Sequence, residues 1–160
     1  MHAKGHFGLS LLVLSLIFLP LGFGPDYIVV IIIMLSAGLS SLPDIDLNFE
    51  IAHRGFTHNI LFAIIAGIAF GLIFGYASGL TWGAIGFLAG FLGVALHLLG
   101  DMMTMMAFKP LWPFSHREIA LCWFYADSRA ANEGFMSLGI FMFIIYIMVS
   151  SGALQSLLGG

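Results

Sequence analysis

The stretch LTWGAIGFLAGFLGVALHLLGDM, Leu80–Met102, decides the fold of this chain. A helix rises about 1.5 Å per residue, so roughly 20 apolar residues cross a hydrocarbon layer about 30 Å thick. The stretch carries no charged residue or histidine before HLLGD, residues 97–101. Histidine and aspartate four residues apart share one helix face. The segment therefore predicts a membrane span that ends in a pair of metal ligands, His97 and Asp101. The alternative is a His–Asp hydrogen bond that stiffens the helix end.

The composition of the whole chain agrees with a membrane protein. Of its 160 residues, 61% are hydrophobic and only 8% are charged, which is far outside the range of soluble proteins. We interpret residues 1–160 as a single domain without a basic block for nucleic-acid binding. The single cysteine, Cys122, excludes an intrachain disulfide and is interpreted as a packing residue.

Four more apolar segments are separated by breaks, at about residues 6–23, 26–42, 58–76 and 134–154. The first has no small-x-small cleavage site after it, so we interpret it as a retained helix and not as a signal peptide. The predicted fold class is all-α, a polytopic membrane helix bundle of about five transmembrane helices. An interfacial loop or short helix is expected between the fourth and fifth, with Trp112, Trp123 and Tyr125 at headgroup depth.

Glycines at helical spacing predict close packing of the third and fourth helices. Gly67, Gly71 and Gly75 recur every four residues, as do Gly86 and Gly90. Small residues let helix backbones approach each other in a membrane.

The five segments place almost all ionisable groups on one side of the membrane. Only Asp26 falls on the other side, and all lysines and arginines (Lys4, Arg54, Lys109, Arg117 and Arg129) fall on the crowded side. The positive-inside rule then predicts a multi-pass protein of the inner, cytoplasmic membrane with a cytoplasmic N-terminus and an external C-terminus. Charge near hydrocarbon is unfavourable unless it is paired, hydrated or bound to metal, so this side is predicted to hold a functional site facing the cytoplasm.

The motif LPDID, residues 42–46, follows the second span. In extended backbone Asp44 and Asp46 would face the same way and could bind one cation, whereas in helical backbone they would diverge. Asp44 could instead cap a turn, and Asp46 could be solvated.

The motif HRGFTH, residues 53–58, precedes the third span. His53 and His58 can converge if the glycine-containing loop folds back, and Thr57 is the expected N-cap of the helix. Arg54 could bind an anion such as phosphate or contact lipid headgroups.

Histidines elsewhere complete the set. His6 opens the first helix on the crowded side, while His2 and His116 remain open between ligand and surface residue. A structural zinc site is usually rich in cysteine, and more than four His and Asp candidates are present here. The pattern favours a hydrolytic centre that holds one or two metal ions with open coordination positions.

The motifs LPDID (42–46), HRGFTH (53–58), HLLGD (97–101) and KPLWPFS (109–115), in this order, resemble the LexA-regulated, inner-membrane metal-dependent hydrolases. The resemblance covers residues 2–118 and implies a distant relation to zinc-dependent phospholipase C, which uses a His-x-x-x-Asp motif. It implies a ligand set made of His6, Asp44, Asp46, His53, His58, His97 and Asp101.

The leading functional hypothesis is a membrane-embedded hydrolase that cleaves a phosphoester of a membrane lipid with metal-activated water. Zinc is the expected cofactor, with manganese as an alternative. Arg54 would stabilise negative charge on phosphorus, and Asp46 or His116 would act as general base or acid. The alternatives are amide hydrolysis, weakened by the lack of His-Glu-x-x-His, a transporter of metal ions or protons, and a metal-stabilised membrane scaffold.

Overall fold

The computed structural model describes residues 1–21, 27–49, 56–153 and 156, with the backbone alone at 46–49. Within these ranges the chain forms five α-helices and no β-strand, which confirms the all-α prediction. The helices are α1 (Ala3–Phe18), α2 (Tyr27–Leu39), α3 (Ile60–Ser78), α4 (Leu80–Met102) and α5 (Arg129–Ser150). A 3₁₀ helix, Leu42–Phe49, follows α2.

Four of these helical segments are long and apolar enough to cross a membrane: Tyr27–Ile45, Ile60–Ser78, Leu80–Met102 and Arg129–Ser150. The first helix, Ala3–Phe18, is shorter, with 16 residues. At about 1.5 Å per residue it extends about 24 Å, slightly less than the hydrocarbon layer. The described residues thus contain the five expected apolar helices, of which α1 falls short of the usual spanning length.

The helices pack in the order α3, α4, α2, α1 and α5. One apolar core joins α1, α2, α4 and α5, with Ile33 and Tyr146 fully buried. A second core, around Ala63 and Val94, joins α3 to α4. Both cores lie beside α4, which is therefore the central helix of the bundle. The same helix carries His97 and Asp101 of the predicted site.

The predicted glycine packing of α3 on α4 is confirmed. A Cβ atom added at Gly90 would lie 2.8 Å from the carbonyl oxygen of Ala66, and one at Gly86 would lie 2.5 Å from that of Phe70. Real side-chain carbons do not approach backbone oxygens so closely, so these positions accept only glycine at the present helix separation.

The polar end of the bundle is the end at which α1, α3 and α5 begin and α4 ends. Lys4 in α1 pairs with Glu133 in α5 at 3.2 Å, which fixes these two helix starts side by side. The segment after α4, residues 103–128, is a loop and forms no short helix, so the loop alternative is the one observed. It folds back on α4 through hydrogen bonds from Leu121 N to Met102 O and from Trp123 N to Met103 O.

A candidate metal centre at the polar end

Five of the seven predicted metal ligands meet at the polar end: His6, Asp44, His58, His97 and Asp101. They come from α1, the 3₁₀ helix, the turn before α3, and α4, so four separate parts of the sequence converge. The three histidines are fully buried and Asp101 is 1% exposed. Isolated charge is rarely tolerated at such depth, and ionisable groups buried together commonly share a cation.

The innermost group of the centre consists of His58, His97 and Asp101. The Nε2 atoms of the two histidines lie 3.1 Å apart. The Oδ2 atom of Asp101 lies 3.6 Å from each of them. These three atoms therefore form a nearly equilateral triangle.

The triangle has the size of one face of a zinc polyhedron. Zinc binds nitrogen and oxygen at about 2.0–2.1 Å, and a tetrahedron edge is about 1.63 times that length, or roughly 3.3–3.4 Å. The observed separations of 3.1 and 3.6 Å bracket this value. Three protein ligands with a fourth position open are the usual arrangement of a catalytic zinc site. The donor set therefore fits a divalent metal ion.

Asp44 adds a second carboxylate beside the histidine pair. Its Oδ1 atom lies 3.6 Å from Nε2 of both His58 and His97, and its side chain is 22% exposed. Asp44 is thus the least buried of the five residues. It can complete the coordination of a metal ion and also reach solvent.

Two neighbouring groups fix the orientation of the histidine rings. The Nδ1 atom of His97 lies 2.7 Å from the backbone carbonyl oxygen of Ser40. Because a carbonyl can only accept, Nδ1 carries the proton and Nε2 presents its lone pair to the centre. The Nδ1 atom of His58 lies 2.9 Å from the hydroxyl oxygen of Thr57. Such partners hold metal-binding histidines in the correct tautomer and orientation.

His6 occupies the other side of Asp101. Its ring stacks on that of His97 with centroids 3.9 Å apart, and its Nε2 atom lies 3.4 Å from Asp101 Oδ1. Neither ring nitrogen forms a hydrogen bond with any described residue. Gly100 makes room for the ring, since a Cβ atom there would lie 2.9 Å from His6 Nδ1.

Several residues of the centre were not identified from the sequence. The amino group of Met1 lies 2.7 Å from Asp101 Oδ1, and the ring of Phe108 from the long loop stands edge-on to His58. Ser40 contacts His97 through its backbone carbonyl oxygen. Every residue has such an oxygen, so the sequence does not indicate this contact. Gly100 inside HLLGD was visible, and its place in the last turn of α4 could have indicated a close contact.

The structure decides between the two backbone alternatives at LPDID. The segment after α2 is a 3₁₀ helix and not extended, so the arrangement that depended on backbone alternation of Asp44 and Asp46 is not the one observed. Its tight turns let Leu42 pack on the second core while Asp44 reaches the histidines. The prediction of Thr57 as the N-cap of α3 was wrong. The N-cap is Asn59, whose side chain accepts from Phe62 N at 2.9 Å; Thr57, two residues earlier, contacts His58 instead.

The remaining predicted site residues are Asp46, His53, Arg54 and His116. His53 and Arg54 fall outside the described residues, and for Asp46 the backbone alone is described. His116 is exposed in the long loop and belongs to neither of the two ligand groups found in the described part of the chain. The catalytic roles of Asp46, Arg54 and His116 therefore stay predictions.

Asp44 connects the centre to two cavities, because it lines both. The larger has a volume of about 620 Å³ and lies under the long loop; its walls include His2, Thr104, Met105, Tyr125 and Asp127. The smaller, of about 360 Å³, lies along the end of α2 and is bounded by Gly38, Leu39, Ser41, Leu42 and Ile45. Both cavities are lined mainly by apolar surface, with the Asp44 carboxylate as a polar group that they share.

Comparison with known protein families agrees with this architecture. A family model described as YdjM inner membrane protein matches residues 1–156, almost the whole chain. The chain belongs to the YdjM family. Together with its apolar helices, this membership establishes a multi-pass protein of the inner membrane. No curated protein and no solved structure matches the chain. The family match does not extend to zinc-dependent phospholipase C, so that relation stays a prediction.

Proposed function

We propose that this YdjM-family protein is a membrane-embedded, metal-dependent hydrolase that cleaves a phosphoester of a membrane lipid. The observation that carries the proposal is the buried triangle of His58, His97 and Asp101, which has zinc-like dimensions and lies beside Asp44, a residue that lines two cavities. A structural site would be closed to solvent by its protein ligands, whereas Asp44 is 22% exposed.

The chain's own residues supply ligands, orientation and access. A bound divalent ion would polarise a phosphoryl oxygen and lower the pKa of a water molecule. Ser40 and Thr57 hold the rings of His97 and His58 so that both Nε2 atoms face the same point. Asp44, partly exposed and 3.6 Å from both histidines, would join the ligands of the ion and connect it to the cavities.

The two cavities favour an amphiphilic substrate. Leu39, Leu42 and Ile45 border the smaller cavity, where an acyl or isoprenoid chain would find apolar contacts. The larger cavity also offers apolar contacts, from Met105, Met106 and Tyr125, together with the polar side chains of His2 and Asp127. Because Asp44 lines both, a phosphoester at the junction of chain and headgroup would lie next to the histidine pair.

The orientation follows from the positive-inside rule. Lys4 and Arg129 both pair with Glu133 at the polar end, and Lys109 and Arg117 lie in the long loop of that end. We therefore place the polar end, and the site, on the cytoplasmic side of the membrane.

Hydrolysis by the purified protein in lipid nanodiscs tests the proposal. Phosphoesters with acyl or isoprenoid chains should be cleaved faster than their soluble headgroup analogues, because chain contacts hold the phosphorus near the ligands. A chelator should abolish the reaction, and zinc or manganese should restore it. His97→Ala should be inactive at unchanged expression. Metal flux into liposomes without hydrolysis of any phosphoester would contradict the proposal and favour a transporter.

A further inference from the structure

Asp101 presents its two carboxylate oxygens to two different sets of groups. Oδ2 lies 3.6 Å from Nε2 of both His58 and His97. Oδ1 lies 3.4 Å from Nε2 of His6 and 2.7 Å from the amino group of Met1. A carboxylate placed in this way can bind one cation through each oxygen. Two-metal hydrolytic sites hold their ions about 3.5–4 Å apart, a distance that one carboxylate can bridge.

His6 has the properties of a ligand whose ion is separate from that of the innermost group. It is fully buried, and neither of its ring nitrogens has a hydrogen-bond partner among the described residues. Its Nε2 atom approaches Asp101 Oδ1 at 3.4 Å, and a buried imidazole without a well-formed hydrogen bond is unfavourable unless something else binds it. His6, Asp44 and His97 place one ligand atom each within 4.8 Å of one another, so the Asp44 carboxylate lies within reach of His6.

The stacking of the His6 ring on the His97 ring indicates that the two histidines bind different ions. The planes of His6 and His97 are nearly parallel, with an angle of 18° between them. A metal ion binds imidazole nitrogen in the plane of the ring, and parallel stacked rings direct their nitrogens to neighbouring points and not to a single one. His6 is therefore poorly placed as a fourth ligand of the ion held by His58 and His97.

We propose that the centre binds two divalent metal ions with Asp101 as the bridging ligand. The first position is formed by His58, His97 and Asp101 Oδ2. The second is formed by His6 and Asp101 Oδ1, where an ion would take the place of the Met1 amino group that lies 2.7 Å from this oxygen. The Asp44 carboxylate is available to either ion. This inference rests on the metal centre of the proposed function and specifies its nuclearity.

Metal counting and electron paramagnetic resonance test the inference without reference to activity. Metal-free protein in nanodiscs, loaded with Mn²⁺ and desalted, should retain about two ions per chain, and its spectrum should show a magnetically coupled pair. His6→Ala should retain about one ion and give the spectrum of an isolated Mn²⁺. Ser10→Ala is the matched control: Ser10 is buried one turn from His6 on α1 and donates a hydrogen bond to the His6 carbonyl oxygen. This variant should keep the coupled pair.

Two outcomes of these measurements would overturn the inference. A wild-type protein that saturates at one uncoupled Mn²⁺ per chain overturns the inference, and so does a folded His6→Ala variant that loses all its metal. If His6→Ala does not fold, the wild-type spectrum alone decides, because coupling requires two neighbouring ions. A coupled pair in a protein without hydrolytic activity would support this inference and contradict the proposed function. Hydrolysis by a protein that holds one ion would do the reverse.

Discussion

The imidazole rings of His6 and His97 stack with their centroids 3.9 Å apart. His6 lies near the start of α1 and His97 near the end of α4, so the two residues are far apart in the sequence. Gly100 permits this contact because it places no side chain between α4 and the His6 ring. The stacking brings the start of α1 into the same buried space as the end of α4. The helix that falls short of the usual spanning length thereby contributes a ligand to the candidate metal centre.

Loss of His97 should remove metal from the protein. His97→Ala deletes a nitrogen that lies 3.1 Å from His58 Nε2 and 3.6 Å from both carboxylates. Loss of an outer-shell partner typically lowers metal affinity 10–100-fold, so loss of a ligand should lower it by more than about 100-fold. Elemental analysis after dialysis measures the effect. His116→Ala, which removes an exposed histidine of the same end, should retain its metal; equal metal content in the two variants would refute the site.

The Thr57 hydroxyl should tune metal affinity through His58. Thr57→Val keeps the shape of the side chain but removes the oxygen 2.9 Å from His58 Nδ1. We expect metal affinity to fall by about 10–100-fold, as measured by competition with a chelating dye. Thr57→Ser restores the hydroxyl and should recover most of the affinity. If the valine and serine variants bind metal equally, the hydroxyl has no role in holding the ring.

The contact of α3 with α4 should not tolerate a methyl group at Gly90. Gly90→Ala would place Cβ 2.8 Å from the Ala66 carbonyl oxygen and push the helices apart. Overpacking of this kind typically lowers the free energy of unfolding by about 1–3 kcal/mol. Thermal unfolding in detergent should show a lower Tm. Gly134→Ala in α5 is the matched control, since a Cβ atom there meets nothing within 4 Å, and its Tm should not fall.

Asn132 should be required to fix the N-terminal segment to α5. It is fully buried, accepts a hydrogen bond from His2 N and donates to the carbonyl oxygens of Ala126 and Ser128. Asn132→Ala leaves buried groups unpaired and should lower the free energy of unfolding by about 1–3 kcal/mol. Arg129→Ala, which breaks an exposed ion pair one turn earlier, should leave the Tm nearly unchanged. A Tm that falls more for Arg129→Ala than for Asn132→Ala would contradict this assignment.

Labelling with a membrane-impermeant maleimide should place the two ends of the bundle on opposite sides. Cys122 is the chain's single cysteine and is exposed in the long loop, so it should react in inside-out vesicles. In the Cys122→Ser background, Ser78→Cys, at the end of α3, should react in intact spheroplasts. Reaction of both positions from the same side would contradict the topology.

The sequence by itself determined the class of the protein and most of the residues of the candidate metal centre. The apolar segments have no soluble alternative, because their burial would need a far larger core. The spacing of His97 and Asp101 places both side chains on one helix face whatever the rest of the fold does. Successive membrane helices run in opposite directions, so His6, Asp44 and His58 must also lie at the same end of the bundle. These conclusions need only the helix repeat and the thickness of the bilayer.

Only the tertiary structure decided which of these residues meet and how they are oriented. The packing of α1 on α4 stacks His6 on His97, and the 3₁₀ helix directs Asp44 to the histidine pair. The Ser40 carbonyl and the Thr57 hydroxyl set the ring orientations through contacts that have no sequence signature. Asp101 contacts His6 through Oδ1 and His58 through Oδ2, and these contacts depend on distances of a few ångströms between separate segments. Helix periodicity fixes the face of a residue, but the separation and rotation of neighbouring helices fix its partners.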